Sequence, residues 1–216
     1  MLKLLLTSGA TREPIDAVRF LSNVSTGRTG AALADALAER GHSVTLFRGE
    51  GSTSPKRLID SEIFSSAADL EQLLRQRLAT EDYDAVIMSA AVADYRPDTT
   101  VAGKIHSDAE ELVLHLARTV KILPLIKSFA RNQPVVIGFK LTVGACDEAR
   151  IKAVSAQFEA GGVDAVVHND LKEIRESPEH PFRLYRSGGK LPEKLLGVSN
   201  LVTQLIPFVE LRKRTK

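Results

Sequence analysis

Short, mostly apolar runs alternate with longer amphipathic stretches along the chain, and this alternation constrains the fold more than any other feature. The runs at 3–7, 43–47, 62–65, 85–89, 134–139 and 165–167 read as strands covered on both faces of a parallel sheet. Between them, 26–40, 67–79, 120–130 and 147–160 read as helices, with Gly41 and Gly161-Gly162 ending the first and last of these. Residues 112–116, Leu-Val-Leu-His-Leu, alternate like an edge strand. Repeated βα units of this kind give an α/β fold, a doubly wound, mostly parallel Rossmann-like sheet.

The tail has a different pattern. Phe182-Arg-Leu-Tyr-Arg, Ser-Gly-Gly and Lys190-Leu-Pro read as a β-hairpin turning on glycines, followed by a helix over 193–208. No repeat, linker or low-complexity segment divides the chain. Residues 1–216 are therefore expected to form a single nucleotide-binding α/β domain, with about 180–210 as a C-terminal β-hairpin extension. An exposed hairpin often pairs subunits, so a homodimer is expected.

With 44% apolar and 26% charged residues, 216 residues can bury a sizeable core. The formal charge is only +2, from mixed charges, which argues against nucleic acid as a partner. The apolar start after Lys3 is far shorter than a membrane span, and Cys146 as the only cysteine excludes an intrachain disulfide. These features point to a cytoplasmic protein with no membrane partner. The five histidines have no metal spacing, and Cys146 reads as a small semi-buried side chain.

In an open parallel sheet, ligands bind where βα loops leave the carboxyl ends of the strands. Four such loops carry unusual residues. The loop from Ser8 to Gly30 ends in Ser25-Thr-Gly-Arg-Thr-Gly30, where Gly27 and Gly30 open a helix. That pattern suits either close helix–sheet packing or a phosphate approaching backbone N–H groups. It is no dinucleotide fingerprint: Gly-x-Gly-x-x-Gly is absent, and no acidic residue ends the second strand. In Ser89-Ala-Ala-Val-Ala-Asp94, small residues leave room for a ligand, and Asp94 is either a turn residue or a group facing a metal or ribose. Lys104 sits in a flexible loop, and Phe139 is placed to stack on a base or to pack in the core.

At these residues the chain resembles the phosphopantothenoylcysteine synthetase family, the C-terminal half of a bifunctional flavoprotein in many bacteria. Thr11-Arg-Glu-Pro-Ile-Asp16, Val18-Arg-Phe-Leu-Ser-Asn-Val-Ser-Thr-Gly27 and Ala90-Ala-Val-Ala-Asp-Tyr95 carry the resemblance, which runs over most of residues 2–170. It implies a ligase of coenzyme A biosynthesis. The carboxylate of 4′-phosphopantothenate attacks the α-phosphate of CTP, or ATP in some branches, and cysteine then displaces the nucleotide from the acyl intermediate.

Residue by residue, the resemblance implies that Asn23 holds the acyl intermediate and that Lys104 closes over it on a mobile loop. Arg19 reaches the substrate phosphate of a neighbouring subunit, and Ala90, Ala91 and Asp94 join Arg19 and Asn23 around the substrate. Gly9, Ser25, Thr26, Gly27, Met88, Ser89, Ala90, Asp94, Lys104 and Phe139 surround the nucleotide, and Asp94 carries Mg²⁺. No flavin is implied for this chain, and a separate flavin-dependent decarboxylase is implied as its pathway partner.

The family's Lys-x-Lys-Lys reads Lys104-Ile-His-Ser107 here, its Asn-Pro-Asp-Ile aligns with Thr119-Val-Lys-Ile122, and two nucleotide-contacting lysines fall on Gln157 and Gly161. Lys121, Lys140, Arg150 and Lys152 are the candidate replacements. The thinned cation set motivates an alternative, a non-catalytic relative that binds nucleotide or pantothenate derivatives as a regulatory or scaffold module. A short-chain reductase is disfavoured, because no Tyr has a Lys four residues on.

Overall fold

The computed structural model describes residues 1–108, 110–189 and 191–214. In chain order the elements are β1 (Lys3–Ser8), β2 (Arg12–Pro14), β3 (Phe20–Ser22), α1 (Arg28–Glu39), β4 (Ser43–Gly49), β5 (Asp60–Phe64), α2 (Ala67–Thr80) and β6 (Ala85–Met88). There follow β7 (Tyr95–Pro97), β8 (Leu116–Arg118), a 3₁₀ turn (Leu123–Leu125), α3 (Ile126–Phe129), β9 (Val135–Thr142), α4 (Asp147–Glu159), β10 (Ala165–Asp170), α5 (Leu171–Glu176), β11 (Pro181–Arg186), β12 (Glu193–Leu196) and α6 (Gly197–Arg214).

Among the described residues one eight-stranded sheet has the order β12-β11-β10-β9-β6-β1-β4-β5. Pairing is parallel from β5 through β10 and antiparallel at β11 and β12. This is the doubly wound α/β sheet that the sequence pattern predicts. The chain builds outward from β1 to β4 and β5, then returns to the other side of β1 at β6, so the sheet's switch point lies between β1 and β6.

Period-two alternation buries the strands on both faces. Leu4, Leu6, Leu46, Ile87, Ile137 and Val167 face α1 and α6, where Leu33, Leu37, Leu201, Val202 and Leu205 complete one core. Leu5, Phe47, Val86, Met88 and Val136 face the other way, against Leu70, Leu74 and Leu78 of α2 and Ile126 of α3. α2 starts at a capping box, Ser66 accepting from the Asp69 N–H while the Asp69 carboxylate accepts from the Ser66 N–H.

Several elements differ from expectation. Residues 112–115 lie outside any strand; Leu116–Arg118 pairs instead with Tyr95–Pro97 in a separate two-stranded ribbon. The helix expected over 120–130 shrinks to a 3₁₀ turn containing Pro124 and the short α3, because proline supplies no N–H for a longer ladder. Residues 193–196 form β12 rather than the first turn of the last helix, which starts at Gly197 and runs through Pro207 to Arg214. β2, β3 and α5 fall where the sequence showed only loop. Lys190, expected in the tail hairpin, lies outside the described residues.

The tail hairpin is part of the sheet. β11 pairs along β10, from Ala165 with Arg186 to His168 with Arg183, and Phe182 and Leu184 are buried under α6 in the same core as Leu4. Phe182→Ala is accordingly expected to cost about 3–5 kcal/mol of folding stability in urea denaturation; a loss below about 1 kcal/mol would show a hairpin independent of the core.

Candidate functional site

The loops leaving β1 and β6 are joined at the switch point. The Thr7 hydroxyl accepts from the Ala90 N–H (3.2 Å), and Ser89 Oγ donates to the Thr7 carbonyl (2.6 Å). Beyond the strand ends, Ala91 N–H donates to Gly9 (2.7 Å), Thr11 N–H donates to Ala91 (3.3 Å), and Ala93 N–H donates to the Thr11 hydroxyl (3.0 Å). Thr7 and Thr11 are fully buried, so two polar side chains inside apolar surroundings are satisfied by the partner loop's backbone. Small residues at 89–91 and 93 leave little side-chain bulk at the seam.

α1 begins directly over this seam. Gly27, its N-cap, has φ 75° and no side chain caps the helix; a Cβ there would stand 2.9 Å from Ser52 Cβ and 3.1 Å from the Gly9 nitrogen. Gly9 has φ 82°, and a Cβ on Gly30 would meet Ser8 Cβ at 2.2 Å. The glycines serve both readings of the pattern: they allow close packing, and they leave a helix start without a side-chain cap at the carboxyl edge of the sheet. Among the described residues the neighbouring hydroxyls of Ser8 and Ser52 are buried without a hydrogen-bond partner. Ser25 is half-buried and Thr26 exposed at the same helix start.

The remaining predicted site residues lie as follows. Asn23 is exposed, and its Nδ2 donates to the Val92 carbonyl (3.2 Å), two residues from Asp94. Asp94 is exposed and ion-paired with Lys121, and its carbonyl accepts from the Thr119 N–H (3.0 Å). Ala90 is partly buried beside Met88, which belongs to the α2-side core. Lys104 is exposed, and its loop lies along residues 14–19: Ala17 N–H donates to Gly103 (3.0 Å) and Val101 N–H to Ile15 (3.1 Å). Arg19 pairs with Asp16 (3.3 Å) and donates to the Ile105 carbonyl (3.2 Å). β9 continues past its last pair with β6, Met88 with Gly138, so Phe139 stands beside the β6 loop, half-buried against the α1–α6 core.

Of the candidate replacement cations, Arg150 is committed elsewhere. It is buried, donating to Asp147 (2.5 Å), to the Ala145 carbonyl (3.1 Å) and to Glu173 (3.3 Å). Lys121 is the one placed on a predicted site residue. Lys140 is half-buried on β9 and Lys152 exposed on α4.

A polar centre that sequence reasoning missed lies beyond the ends of β9 and β10. Asp170, buried, accepts from the Thr142 hydroxyl (2.6 Å) and from the N–H groups of Gly144, Ala145 and Lys172. Burial alone would raise its carboxyl, but the bonds from Thr142 and the backbone prevail and hold it well below the usual carboxylate range. His168, fully buried, shares 2.8 Å with Thr142 Oγ1. Because the Thr142 proton goes to Asp170, His168 Nε2 is the donor, and Nδ1 has no partner among the described residues. Burial, followed by the charges of Arg150 and Arg183, lowers the imidazole to about 4. Among the described residues no cluster of three or more His, Cys, Asp or Glu side chains could hold a metal.

Comparison with known proteins shows the family. The model of the DNA/pantothenate metabolism flavoprotein C-terminal domain matches residues 1–190. Over 173 residues, 79% of the chain, the sequence is 36% identical to the coenzyme A biosynthesis bifunctional protein CoaBC of Thermococcus kodakarensis, and the match covers 41% of that protein. The chain thus spans less than half the length of this relative. The crystal structure of the DNA/pantothenate metabolism flavoprotein from Streptococcus pneumoniae is similar at TM-score 0.86 and 25% identity, over 98% of this chain and 100% of that one. The C-terminal domain of a CoaBC protein is similar at TM-score 0.77 and 26% identity, over 100% and 97%.

The buried imidazole sets a pH dependence. A lowered folded-state value means that the unfolded chain binds the proton first, so stability falls as pH drops from about 6.5 towards 4. His42 and His180 are lowered in the same direction, mainly by burial. His168→Gln is expected to remove up to about 3 kcal/mol of that fall in urea titrations at successive pH values; an unchanged slope would show that His168 is not buried neutral.

Proposed function

Because the chain belongs to the DNA/pantothenate metabolism flavoprotein C-terminal domain family, we propose that it is a phosphopantothenate–cysteine ligase. The carboxylate oxygen of 4′-phosphopantothenate bonds to the α-phosphorus of CTP or ATP and pyrophosphate leaves. The cysteine amine then bonds to the acyl carbon, loses a proton, and CMP or AMP leaves.

One observation carries this proposal: the β1 and β6 loops are joined into a single seam beneath the glycine-lined start of α1, and Asn23 bonds the β6 loop at Val92, two residues from Asp94. A triphosphate at that seam would meet the positive end of α1, with the Thr26 and Ser52 hydroxyls beside it. Asn23, bonded to the Val92 carbonyl, stands where an acyl phosphate could exchange for that acceptor. Lys104 and Lys121 supply positive charge where the negative charge of both leaving groups develops, an electrostatic contribution that usually dominates such chemistry.

Mg²⁺ fits this donor set only in part. Asp94 is the carboxylate that would hold it, with phosphate oxygens and water as the other ligands, an arrangement usual for this ion. Bound there, Mg²⁺ would neutralise charge on the triphosphate. Lys121, now on Asp94, would have to turn towards the phosphates. Arg19 is proposed to meet the substrate phosphate across a homodimer interface. The product would pass to a flavin-dependent decarboxylase, and the setting is cytoplasmic, as for other enzymes of coenzyme A biosynthesis.

Incubation with 4′-phosphopantothenate, cysteine and Mg²⁺ is expected to release pyrophosphate with CTP or ATP, and the faster nucleotide identifies the co-substrate. Binding without release by either would favour a regulatory or scaffold role. Lys104→Gln is expected to lower turnover about a hundredfold or more while nucleotide affinity stays within about threefold. Normal turnover by that variant would remove Lys104 from the mechanism.

A further inference from the structure

We infer that Asp16 is a positioning residue whose carboxylate latches the Lys104 loop onto the segment carrying Arg19, and so sets where Lys104 stands beside the crevice. The kinetic part of this inference rests on the ligase proposal; the latch itself does not.

The Asp16 side chain is wholly removed from solvent, although Ala17, Val18 and Lys104 around it are exposed. A carboxylate taken out of water requires compensation by hydrogen bonds or opposite charge. Two of its bonds are local, from the N–H groups of Val18 (2.9 Å) and Arg19 (2.8 Å), and these alone would make an ordinary turn. The third comes from the Ile105 N–H (3.0 Å), 89 residues along the chain. No turn requires that bond. It joins two loops from different strands of the sheet.

The coupling is repeated along the segment. The backbone bonds of Val101 to Ile15 and of Ala17 to Gly103 flank it, and the Arg19 guanidinium bridges Asp16 to the Ile105 carbonyl. Gly103 and Ile105, on either side of Lys104, are therefore anchored, while the Lys104 side chain has no bonded partner among the described residues. A mobile cation on a fixed base loses less entropy on meeting substrate than one on a free loop. The Ile105 and Val18 N–H groups hold the Asp16 carboxyl below the usual carboxylate range. The latch therefore stays charged at neutral pH and opens only as acid protonates it.

Amide hydrogen exchange on the ligand-free chain tests the latch. Asp16→Asn, which keeps the shape and removes the charge, is expected to speed exchange at Ile105 by at least about tenfold at pH 7, with β1, β6 and α1 unchanged. Unchanged exchange at Ile105 overturns the inference. Should that variant not fold, Ile105→Pro removes the donor and leaves the carboxylate; it is expected to release the Ala17 N–H, and retained protection there overturns the latch. In single-turnover measurements, Asp16→Asn is expected to slow the cysteine step at least about tenfold while the first-turnover burst of pyrophosphate and nucleotide affinity stay within about twofold. Equal loss in both steps would overturn the positioning role. A wild-type chain without turnover would reject the ligase proposal and leave the exchange result to decide the latch.

Discussion

The parallel pairing of β1 with β6 is the constraint on which the rest depends. β1 is laid down first, β4 and β5 add on one side, and β6 returns on the other, so two loops from distant parts of the chain leave the sheet side by side. Thr7 and Thr11 turn that adjacency into a joint, each buried hydroxyl accepting from a backbone N–H of the β6 loop. Without its bond the N–H of the buried Ala93 would be left without a partner, at a cost of roughly 1–3 kcal/mol, and that of the partly buried Ala90 would lose a smaller share. Helix α1 can settle on the joint only because Gly9, Gly27 and Gly30 leave no Cβ in its path.

Two polar centres sit at the carboxyl edge of this sheet, and they differ in kind. Near the switch point the polar groups Asn23, Asp94 and Lys121 are exposed and make few fixed contacts, and Lys104, on the loop along residues 14–19, is exposed as well. Beyond β9 and β10 the groups are buried and tightly paired, with Arg183 bidentate on Glu173 and Asp170 accepting four bonds. The first arrangement suits charges that must reorganise around a ligand. The second ties α4, α5 and β11 to the sheet and leaves its charges little freedom to turn to a substrate, which is why Arg150 is a poor replacement for a nucleotide-contacting lysine.

The parallel strands were legible because burial on both faces writes a continuous apolar run, as in Leu4-Leu5-Leu6 and Ala85-Val86-Ile87. Less legible were elements held by tertiary contacts: β2 with β3 and β7 with β8 are three-residue pairs inside loops, too short for any period to register. β12 was hidden because Glu193-Lys-Leu-Leu196 carries good helix formers that pairing with β11 overrides. At the site, Asn23, Asp94 and Lys104 stood out through local motifs. Asp16 lay inside a quoted motif, yet its role was invisible, because the deciding partner is Ile105. Thr7 and His168, polar residues within apolar runs, were the signals that could have disclosed the joint and the buried centre.

The central claim is that a nucleoside triphosphate binds at the joint between the β1 and β6 loops. Amide chemical-shift mapping during titration with CTP and with ATP tests it most directly. The account predicts the largest changes at Gly9, Gly27 and Ala90, with smaller ones along the first turn of α1. Changes confined to the shallow cleft lined by Asp84, Asn132 and Lys213, at the opposite edge of the sheet, would contradict it.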